Sequence, residues 1–581
     1  MARRLGYQEW ILIAEIAVYS AVWSYISLMR YLHFGAAVFD LGVASATIYK
    51  AFHGGIIGTA ADPRPIQVQK LIYLVLAPFY DIDPRPEFLL VFQSIWIPLG
   101  AVPLFLASRK LGMEKTEALL IASSYLLYFP LAGVNWFDFH FMALFPTFFL
   151  LCLYAYVSDR KALFGVTAVL ATITDLMVPL IMFAFAVYAV IEGRYRGKRC
   201  IPYTVLPASA GALVFLAVSL YFGPGYLLNW LHLGGHGSIL SMVSDPGGPL
   251  LTRKVMWFIL MSIPPLFMYL LSPRSAIMFI PYVLFVAAYS YTPYFTVTLY
   301  QYPALYSPVI IYSAAKGYAF LRSKIGSGRA KYALFAVLAV SLITYSLFSP
   351  VGEAFTYQYT YGHDPNLSNV IPPYTLSQME PKQYDTYMWA MVRMVPPGTT
   401  VLLQNDEPQL ATVNNVVMPW SPVPELDFNY SLANPYSKWF YPGAVISPGA
   451  VTYFQTWFNY ALLSGEYSIV SEEDGLTLIS LGQHSGPVAF SPVNVQLEPV
   501  SSGTGYCNYT TGFLPPGTYV VVNGSINDTL RGSDGISDLV LRPHLGSQGQ
   551  VEFVVPVYLA DVTLSAPYSG HVDVVLREVS P

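Results

Sequence analysis

Four side chains that could act in catalysis or bind a metal lie close to long apolar stretches: Asp40, Asp138, His140 and Asp175. Asp40 stands between Phe39 and Leu41, where a carboxylate near a membrane surface is costly unless it is paired or used. It could serve as a general base. Asp is also a favoured N-cap residue, here for a helix over LGVASATIYKAF. The position therefore predicts a catalytic carboxylate, a helix cap, or both.

Asp138 and His140 stand two residues apart in the short segment VNWFDFH. An extended backbone would place both side chains on one face. A carboxylate oxygen and an imidazole nitrogen could together hold a divalent metal, Mg²⁺ or Mn²⁺. The structural alternative is capping of the next membrane span, with the neighbouring aromatic side chains forming an interfacial belt. Asp175, in ATITDLMVPL, offers the same choice between substrate binding and capping of a span.

Other candidates would bind substrate rather than react with it. His232 and His236 lie in the glycine-containing segment LHLGGHG, so a helical metal-binding spacing is not assumed for them. Lys50 and Arg64 are cations in a region that has few of them. A phosphate group would need such partners, although lysine and arginine near lipid headgroups are commonly just solvated.

These residues must be positioned by a membrane-embedded scaffold. Of 581 residues, 55% are hydrophobic and only 11% are charged, which excludes a disordered chain, a nucleic-acid binder and a typical cytosolic enzyme. Stretches long and apolar enough to cross a bilayer predict about eleven spans. They cover roughly residues 10–31, 88–108, 117–134, 140–157, 162–175, 176–192, 203–222, 255–271, 275–292, 303–318 and 332–349.

The charge distribution predicts an orientation. With the N-terminus placed in the cytoplasm, the inner segments of this region hold 17 Lys and Arg and the outer segments hold 7. This bias favours that placement, and an odd number of spans then puts the C-terminal part outside. Residues 1–349 hold 24 basic and 14 acidic residues, whereas the remainder holds 6 and 20. All five N-x-S/T acceptors for glycosylation, at Asn366, Asn429, Asn508, Asn523 and Asn527, fall in that remainder.

The predicted fold class is an α-helical polytopic membrane protein that carries an extracytoplasmic C-terminal region. We expect a membrane domain over residues 1–349, an α/β module over 350–483 and a β-sandwich-like module over 484–581. The last module alternates polar and apolar residues between Gly and Pro turns, as strands with one buried face do. The apolar piece LIYLVLAPFY is too short to span and predicts a re-entrant or interfacial helix.

Several sequence segments resemble those of a prokaryotic family of polytopic membrane proteins. That family is defined by a domain of unknown function and is placed near the GT-C glycosyltransferases. The segments are FDLG, LAPFY with the following span around Gln93, FDFH, the turn around Asp175, YQYPALYSPVI, MVPPGTTVLLQND and GEYSIVSEEDGLTLI. The resemblance runs over most of residues 30–483. Two positions depart from the family pattern: Val68 and Gln69 stand where the family commonly has His, and Thr174 stands where it commonly has Glu.

The resemblance implies a GT-C-like fold and transfer of a sugar from a polyprenyl-phosphate donor to an extracytoplasmic glycan or protein. In GT-C enzymes a first-loop Asp is the typical catalytic or metal-binding carboxylate, and Asp40 matches it. Asp138 and His140 resemble the acidic pair of the second outer loop. The expected cofactor is a divalent metal, and the expected partners are membrane lipid, donor and acceptor, with no nucleic acid. The expected location is the plasma membrane.

Two non-enzymatic alternatives stay open. The chain could be a membrane anchor whose outer domain binds surface polysaccharide or an envelope protein. The acidic loops would then have a purely structural role. A transporter would instead place charged residues at the midplane of several spans, and only Glu15 lies clearly within one.

Overall fold

A computed structural model describes most of the chain as two compact units. The described residues are 5–54, 57–58, 70–223, 249–289, 291–298, 300–352, 376–441, 445–447, 450–482, 489–490, 494–503, 506–514, 516–523, 530–533, 538–545, 550–567 and 572–578. The first unit comprises Met1–Gly35 and Gln67–Glu380, and the second comprises Ala36–Ile66 and Pro381–Pro581. Residues 36–66, which the sequence analysis assigns to the membrane domain, thus cluster with the C-terminal part. The limits at 349 and 483 stay predictions.

Eighteen α-helices occur in the described residues. They are α1 Tyr7–Leu32, α2 Val43–His53, α3 Tyr73–Tyr80, α4 Pro86–Leu99, α5 Ala101–Lys110, α6 Lys115–Leu126, α7 Phe129–Trp136, α8 Phe145–Val157, α9 Lys161–Thr172, α10 Val178–Glu192, α11 Ile201–Phe222, α12 Pro249–Ser262, α13 Pro273–Ala276, α14 Ile280–Ala288, α15 Pro303–Ile325, α16 Ser327–Phe348, α17 Asp385–Met394 and α18 Phe454–Ser464. All but α2, α17 and α18 belong to the first unit.

Several helices of the first unit are long and apolar enough to cross a membrane. In the described residues these are α1, the continuous pair α4–α5, α11 and α16, with a fifth if α6 and α7, bent by 44° at their junction, form one span. Helices α8, α9 and α10 are shorter but also apolar. Each predicted span overlaps a helix, and the number eleven stays a prediction. The short piece around LAPFY forms α3, of 8 residues.

The core of the first unit lies around α8 and α15. Twelve of the thirteen residues of α8 are buried, as are Pro303–Ala315 of α15. A helix that is apolar and buried on all sides belongs at the centre of a bundle. By contrast, α1, α11 and α16 leave large apolar side chains such as Val18, Leu213 and Phe335 exposed. On helices of this length, such exposure indicates faces that contact lipid.

The second unit contains two large sheets. The first is mixed, with the order β1-β3-β2-β4-β8-β7-β9. Its strands are β1 Ile57–Gly58, β2 Thr400–Leu402, β3 Asn415–Val417, β4 Tyr430–Ala433, β7 Tyr467–Glu473, β8 Leu476–Leu481 and β9 Ala489–Phe490. Strands β1, β3, β2 and β4 run parallel, and β8 pairs antiparallel with both β4 and β7. Helix α18 contributes Phe454, Trp457 and Phe458 to the core beside this sheet. Strands β5 Val445–Ser447 and β6 Ala450–Val451 form a separate pair.

The second large sheet is antiparallel and has nine strands, in the order β14-β13-β17-β11-β10-β18-β12-β16-β15. They are β10 Asn494–Gly503, β11 Tyr506–Leu514, β12 Gly517–Asn523, β13 Leu530–Ser533, β14 Asp538–Leu541, β15 His544–Leu545, β16 Val551–Val555, β17 Leu559–Pro567 and β18 Val572–Glu578. Tyr558 ties this part of the unit to α18, since its backbone N–H and C=O both bond to the Asn459 side chain at 3.1 Å. A sandwich architecture stays a prediction.

Candidate active site

The predicted pair Asp138 and His140 lies in a buried polar cluster of the first unit. The Asp138 carboxylate is 2% exposed, and its Oδ1 accepts a hydrogen bond at 2.5 Å from Arg30, which is 5% exposed. Arg30 stands in the last turn of α1 and also donates to the carbonyl oxygens of Gly35, at 3.1 Å, and Trp136. The guanidinium therefore holds the end of α1 against the segment that follows α7. A buried carboxylate needs such a partner because desolvation of a lone charge is costly.

The ring of His140 is oriented by its own segment. Its Nδ1 lies 2.8 Å from the backbone oxygen of Asp138. A carbonyl oxygen can only accept, so this contact places a proton on Nδ1. In the neutral ring, Nε2 is then the nitrogen that carries the lone pair, as required of a base or a metal ligand.

Gln93 of α4 fixes the backbone on which this pair stands. Its Oε1 accepts the backbone N–H of His140 at 3.1 Å, and its Nε2 donates to the carbonyl oxygens of Val134 at 3.2 Å and Phe137 at 3.3 Å. One buried amide thus satisfies three backbone groups that no regular helix or strand would pair. The segment VNWFDFH is held from two helices, by Gln93 and by Arg30.

Asp175 lies in the same unit, between α9 and α10. Its Oδ1 accepts the backbone N–H of Met177 at 2.9 Å, in the turn before α10, whose N-cap position is Met177 itself. A capping role for Asp175 stays a prediction. Its other oxygen lies 3.9 Å from Nζ of Lys70. The carboxyl is also close enough to His140 for their charges to interact. Asp175 therefore closes the turn before α10 and lies near the pair at the same time.

Asp40 lies in the second unit, within the π-helical turn Val38–Gly42. Asn405, just after β2, holds this turn: its backbone oxygen accepts the N–H of Val38 at 2.8 Å, and its Oδ1 accepts the N–H of Phe39 at 2.9 Å. The N-cap position of α2 is Gly42, which has no side-chain cap. Asp40 itself is half-buried. Its predicted proximity to Asp138 and His140, which lie in the other unit, stays a prediction.

Of the predicted cations and outer histidines, the structure describes Lys50. Lys50 lies on α2 in the second unit, 8% exposed, and its ammonium donates to the backbone oxygen of Asn414. Burial lowers the pKa of Lys50 to about 7. Arg64, His232 and His236 lie outside the described residues.

The metal prediction can be compared with the ligands at hand. Asp138 and His140 supply one carboxylate and one imidazole, but the carboxylate is shared with the Arg30 guanidinium. Within the described ranges, no three His, Cys, Asp or Glu side chains form a group that could hold a metal ion. These described ligands alone do not fit a resident divalent cation, and the cofactor stays a prediction.

A second group of buried carboxyls lies beside Asn405, at the carboxyl ends of parallel strands β2 and β4. Asp406 Oδ2 accepts a hydrogen bond from Asn434 at 3.2 Å. Burial raises the pKa of Asp406 to about 6, against the lowering effects of Ser437 and of the Lys382 charge. Glu407 is fully buried, and among the described residues neither of its carboxyl oxygens has a hydrogen-bond partner. Burial, and then the Asp406 charge, raise the pKa of Glu407 well above its ordinary value.

With its long apolar helices, the first unit is that of a membrane protein. The chain belongs to the DUF2079 family of predicted membrane proteins, whose model matches residues 30–478. No curated protein matches the sequence. Among solved structures, the chain is similar to the arabinosyltransferase EmbB from Mycobacterium smegmatis, with 12% identity and a TM-score of 0.35. That likeness covers 100% of this chain and 66% of EmbB, so the chain spans just under two thirds of that protein.

Sequence reasoning missed the residues that hold the site together. It did not single out Arg30 and Lys70, which pair with Asp138 and Asp175. A signal was present for Arg30, because a guanidinium at the end of an apolar span needs a partner. Gln93 gave a similar signal, as a polar side chain within the span 88–108. Asn405 gave none, since its partner lies 366 residues away in the chain.

Proposed function

We propose that this protein transfers a sugar from a polyprenyl-phosphate-linked donor to an extracytoplasmic acceptor. Support comes from membership of the DUF2079 family and from the resemblance of FDLG and FDFH to GT-C motifs. The observation that carries the proposal is the buried cluster of the first unit, in which Arg30 and Gln93 orient Asp138 and His140 while Asp175 lies within electrostatic range of the ring. A buried polar cluster of this kind is costly unless fully paired, and such clusters concentrate at functional sites.

In the proposed reaction, a hydroxyl oxygen of the acceptor attacks the anomeric carbon of the donor sugar. The bond from that carbon to the phosphate oxygen breaks, and the phosphate leaves with its lipid. Asp40 takes the hydroxyl proton, a role that supplies typically about 10²–10⁴-fold in rate. His140 and Asp138 are the candidates of the first unit for binding the acceptor. Positive charge near the departing phosphate stabilises it, and the sequence candidates for this role are Lys50 and Arg64.

The first test replaces the oriented imidazole. His140→Gln keeps an amide that can donate to the Asp138 carbonyl but removes the Nε2 lone pair that the tautomer provides. Membranes containing the variant, supplied with a radiolabelled polyprenyl-phosphate sugar, should transfer about 100-fold less label, because loss of positioning costs rates of this order. His544→Gln is the matched control, since His544 is exposed on β15. Equal transfer by the His140→Gln variant and the wild type would remove His140 from the mechanism.

A membrane anchor is the second candidate function. It is favoured by the engagement of Asp138 with Arg30 and of the His140 ring with a backbone oxygen, because contacts of this kind also occur in purely structural loops. An anchor predicts that neither His140→Gln nor Asp40→Asn alters any sugar transfer, while both alter stability.

A further inference from the structure

A groove in the first unit lies between the start of α12 and the segment before α15. Its volume is about 560 Å³, including space open to solvent. Its walls are mostly apolar side chains, among them Phe129, Met256, Trp257, Leu260, Phe295 and Phe348. The helix ends that form it, at the beginning of α12 and the end of α16, belong to the face predicted to be extracytoplasmic.

Polar groups are confined to a few positions of this groove. Arg253, one turn into α12 and half-buried, is the one cation among the described residues of its lining. Thr292, Thr296 and Thr298 add hydroxyl groups. The neighbouring Lys254 donates to the carbonyl oxygen of Ala287 at 3.1 Å, with its ammonium 5.5 Å from the ring centre of Phe295. An apolar channel with a guanidinium on its wall is complementary to an amphiphile that has a negatively charged head.

The same segment connects the groove to the candidate active site. Thr292 and residues 295–298 line the groove. In the same segment, Tyr294 and Tyr302 lie within electrostatic range of Asp175. The centre of the Tyr300 ring lies 5.4 Å from the centre of the Phe137 ring. Phe137 precedes Asp138 in the chain, so the segment borders the groove with some side chains and the acid–imidazole cluster with others.

We infer that this groove binds the isoprenoid chain of a lipid phosphate and that Arg253 binds the phosphate. The inference rests on the proposed function, since it assigns a site to the donor lipid and places its head beside the segment that borders Asp175 and His140. The hydroxyls of Thr292 and Thr298 donate to the remaining phosphate oxygens, whereas that of Thr296 already donates to the backbone oxygen of Thr292 at 3.0 Å. The apolar wall formed by Trp257, Leu260 and Phe348 covers the chain. An uncharged lipid would pack against the same wall but would gain no binding energy from the charge of Arg253.

Binding can be measured on the full-length protein in detergent, without any sugar transfer. The probes are farnesyl phosphate, farnesol and inorganic phosphate. The wild type should bind farnesyl phosphate about tenfold more tightly than farnesol. This ratio corresponds to about 1.4 kcal/mol of binding free energy, which one ionic contact can supply. Arg253→Gln should remove most of that preference without changing the affinity for farnesol. Leu260→Trp, which fills the groove, should weaken the binding of both lipids. Inorganic phosphate alone should bind far more weakly than farnesyl phosphate.

Arg274→Gln is the matched control, because Arg274 is exposed and does not line the groove. Arg253→Lys should retain part of the preference, which guards against a variant that merely misfolds. An unchanged preference in Arg253→Gln, or unchanged affinities in Leu260→Trp, would overturn the inference. Its failure is distinct from failure of the proposed function: if binding follows these expectations but the active-site variants transfer sugar normally, the groove stands and the transferase mechanism falls.

Discussion

Asn405 illustrates how a single amide can position a candidate catalytic residue from a distant part of the sequence. Its side-chain and backbone oxygens accept the N–H groups of Phe39 and Val38, the residues immediately before Asp40. The phrases FDLG and MVPPGTTVLLQND, both part of the family resemblance, thus meet in the second unit. The next two residues are the buried acids Asp406 and Glu407, so the loop that holds the Asp40 turn also carries carboxyls in an unfavourable environment.

The raised pKa of Asp406 predicts a pH dependence of stability. Burial moves this pKa from 3.8 to about 6, so the folded state binds the proton more tightly than the unfolded chain does. The resulting stabilisation is fully present below about pH 4 and is lost as the pH rises through about 6, amounting to about 3 kcal/mol. Hydrogen exchange of a peptide spanning β2, corrected for intrinsic rates, should therefore show greater protection at pH 4.5 than at pH 7.

Asp406→Asn supplies the control for this experiment. The amide oxygen of Asn can still accept from Asn434, but the group no longer titrates. The variant should show a smaller difference in protection between pH 4.5 and pH 7, because only the raised pKa of Glu407 then contributes to it. If the wild type were equally protected at both values, or if the variant kept the full difference, the burial argument for Asp406 would be wrong.

The sequence indicated the reactive side chains more readily than the residues that hold them in place. Asp138, His140 and Asp175 stand out because acids and imidazoles are rare in so apolar a chain. Asp175 also stands before a span, and its bond to Met177 lies in the turn before α10. The partners could not be deduced, because Arg30 reaches Asp138 across 108 residues, a separation that periodicity does not encode.

At the level of elements, packing within the first unit depends on close approach at Gly317 of α15. A Cβ added there would lie 1.9 Å from the backbone oxygen of Met268, which belongs to the short 3₁₀ turn Met268–Leu271. Backbone cannot yield as a flexible side chain can, so the helix and the turn would have to separate.

Gly317→Ala is therefore expected to destabilise the first unit by about 1–3 kcal/mol through overpacking. The measurement is the thermal unfolding midpoint of the purified protein in detergent. Gly328→Ala is the matched control, because a Cβ at that helical position meets no described atom within 4 Å. That variant should be neutral or slightly stabilised, since alanine is a better helix former than glycine. A Gly317→Ala protein as stable as the Gly328→Ala protein would contradict the packing described here.

The sequence predicted elements best where apolar length alone decides them. Helices α1 and α16 appear at the predicted spans because a stretch of about 20 apolar residues has few alternatives in a membrane. The pieces around α3 and the bent pair α6–α7 show that length says less about short or interrupted helices. Strand β1 could not be predicted, because two residues carry no periodicity and their partner, β3, lies more than 350 residues further on.

For the molecule as a whole, the path of the chain changes what a truncation would mean. The second unit is assembled from residues 36–66 and the C-terminal part, so the chain enters it, leaves it and enters it again. Removing residues 350–581 would take away Asn405, Asn414 and strand β3, which contact the Asp40 turn, Lys50 and β1. Loss of activity after that deletion would not distinguish a transferase from an anchor, whereas point substitutions would.

The most direct test of the central claim is sugar transfer by the Asp40→Asn protein. Asn preserves size and hydrogen bonding but cannot take the proton of an acceptor hydroxyl, so transfer of labelled sugar in membranes should fall by about 10²–10⁴-fold. Asp427→Asn, at an exposed position of the second unit, should transfer normally and shows that the loss is specific. Undiminished transfer by Asp40→Asn, at equal protein level and thermal stability, would contradict a catalytic role for this carboxylate and with it the proposed mechanism.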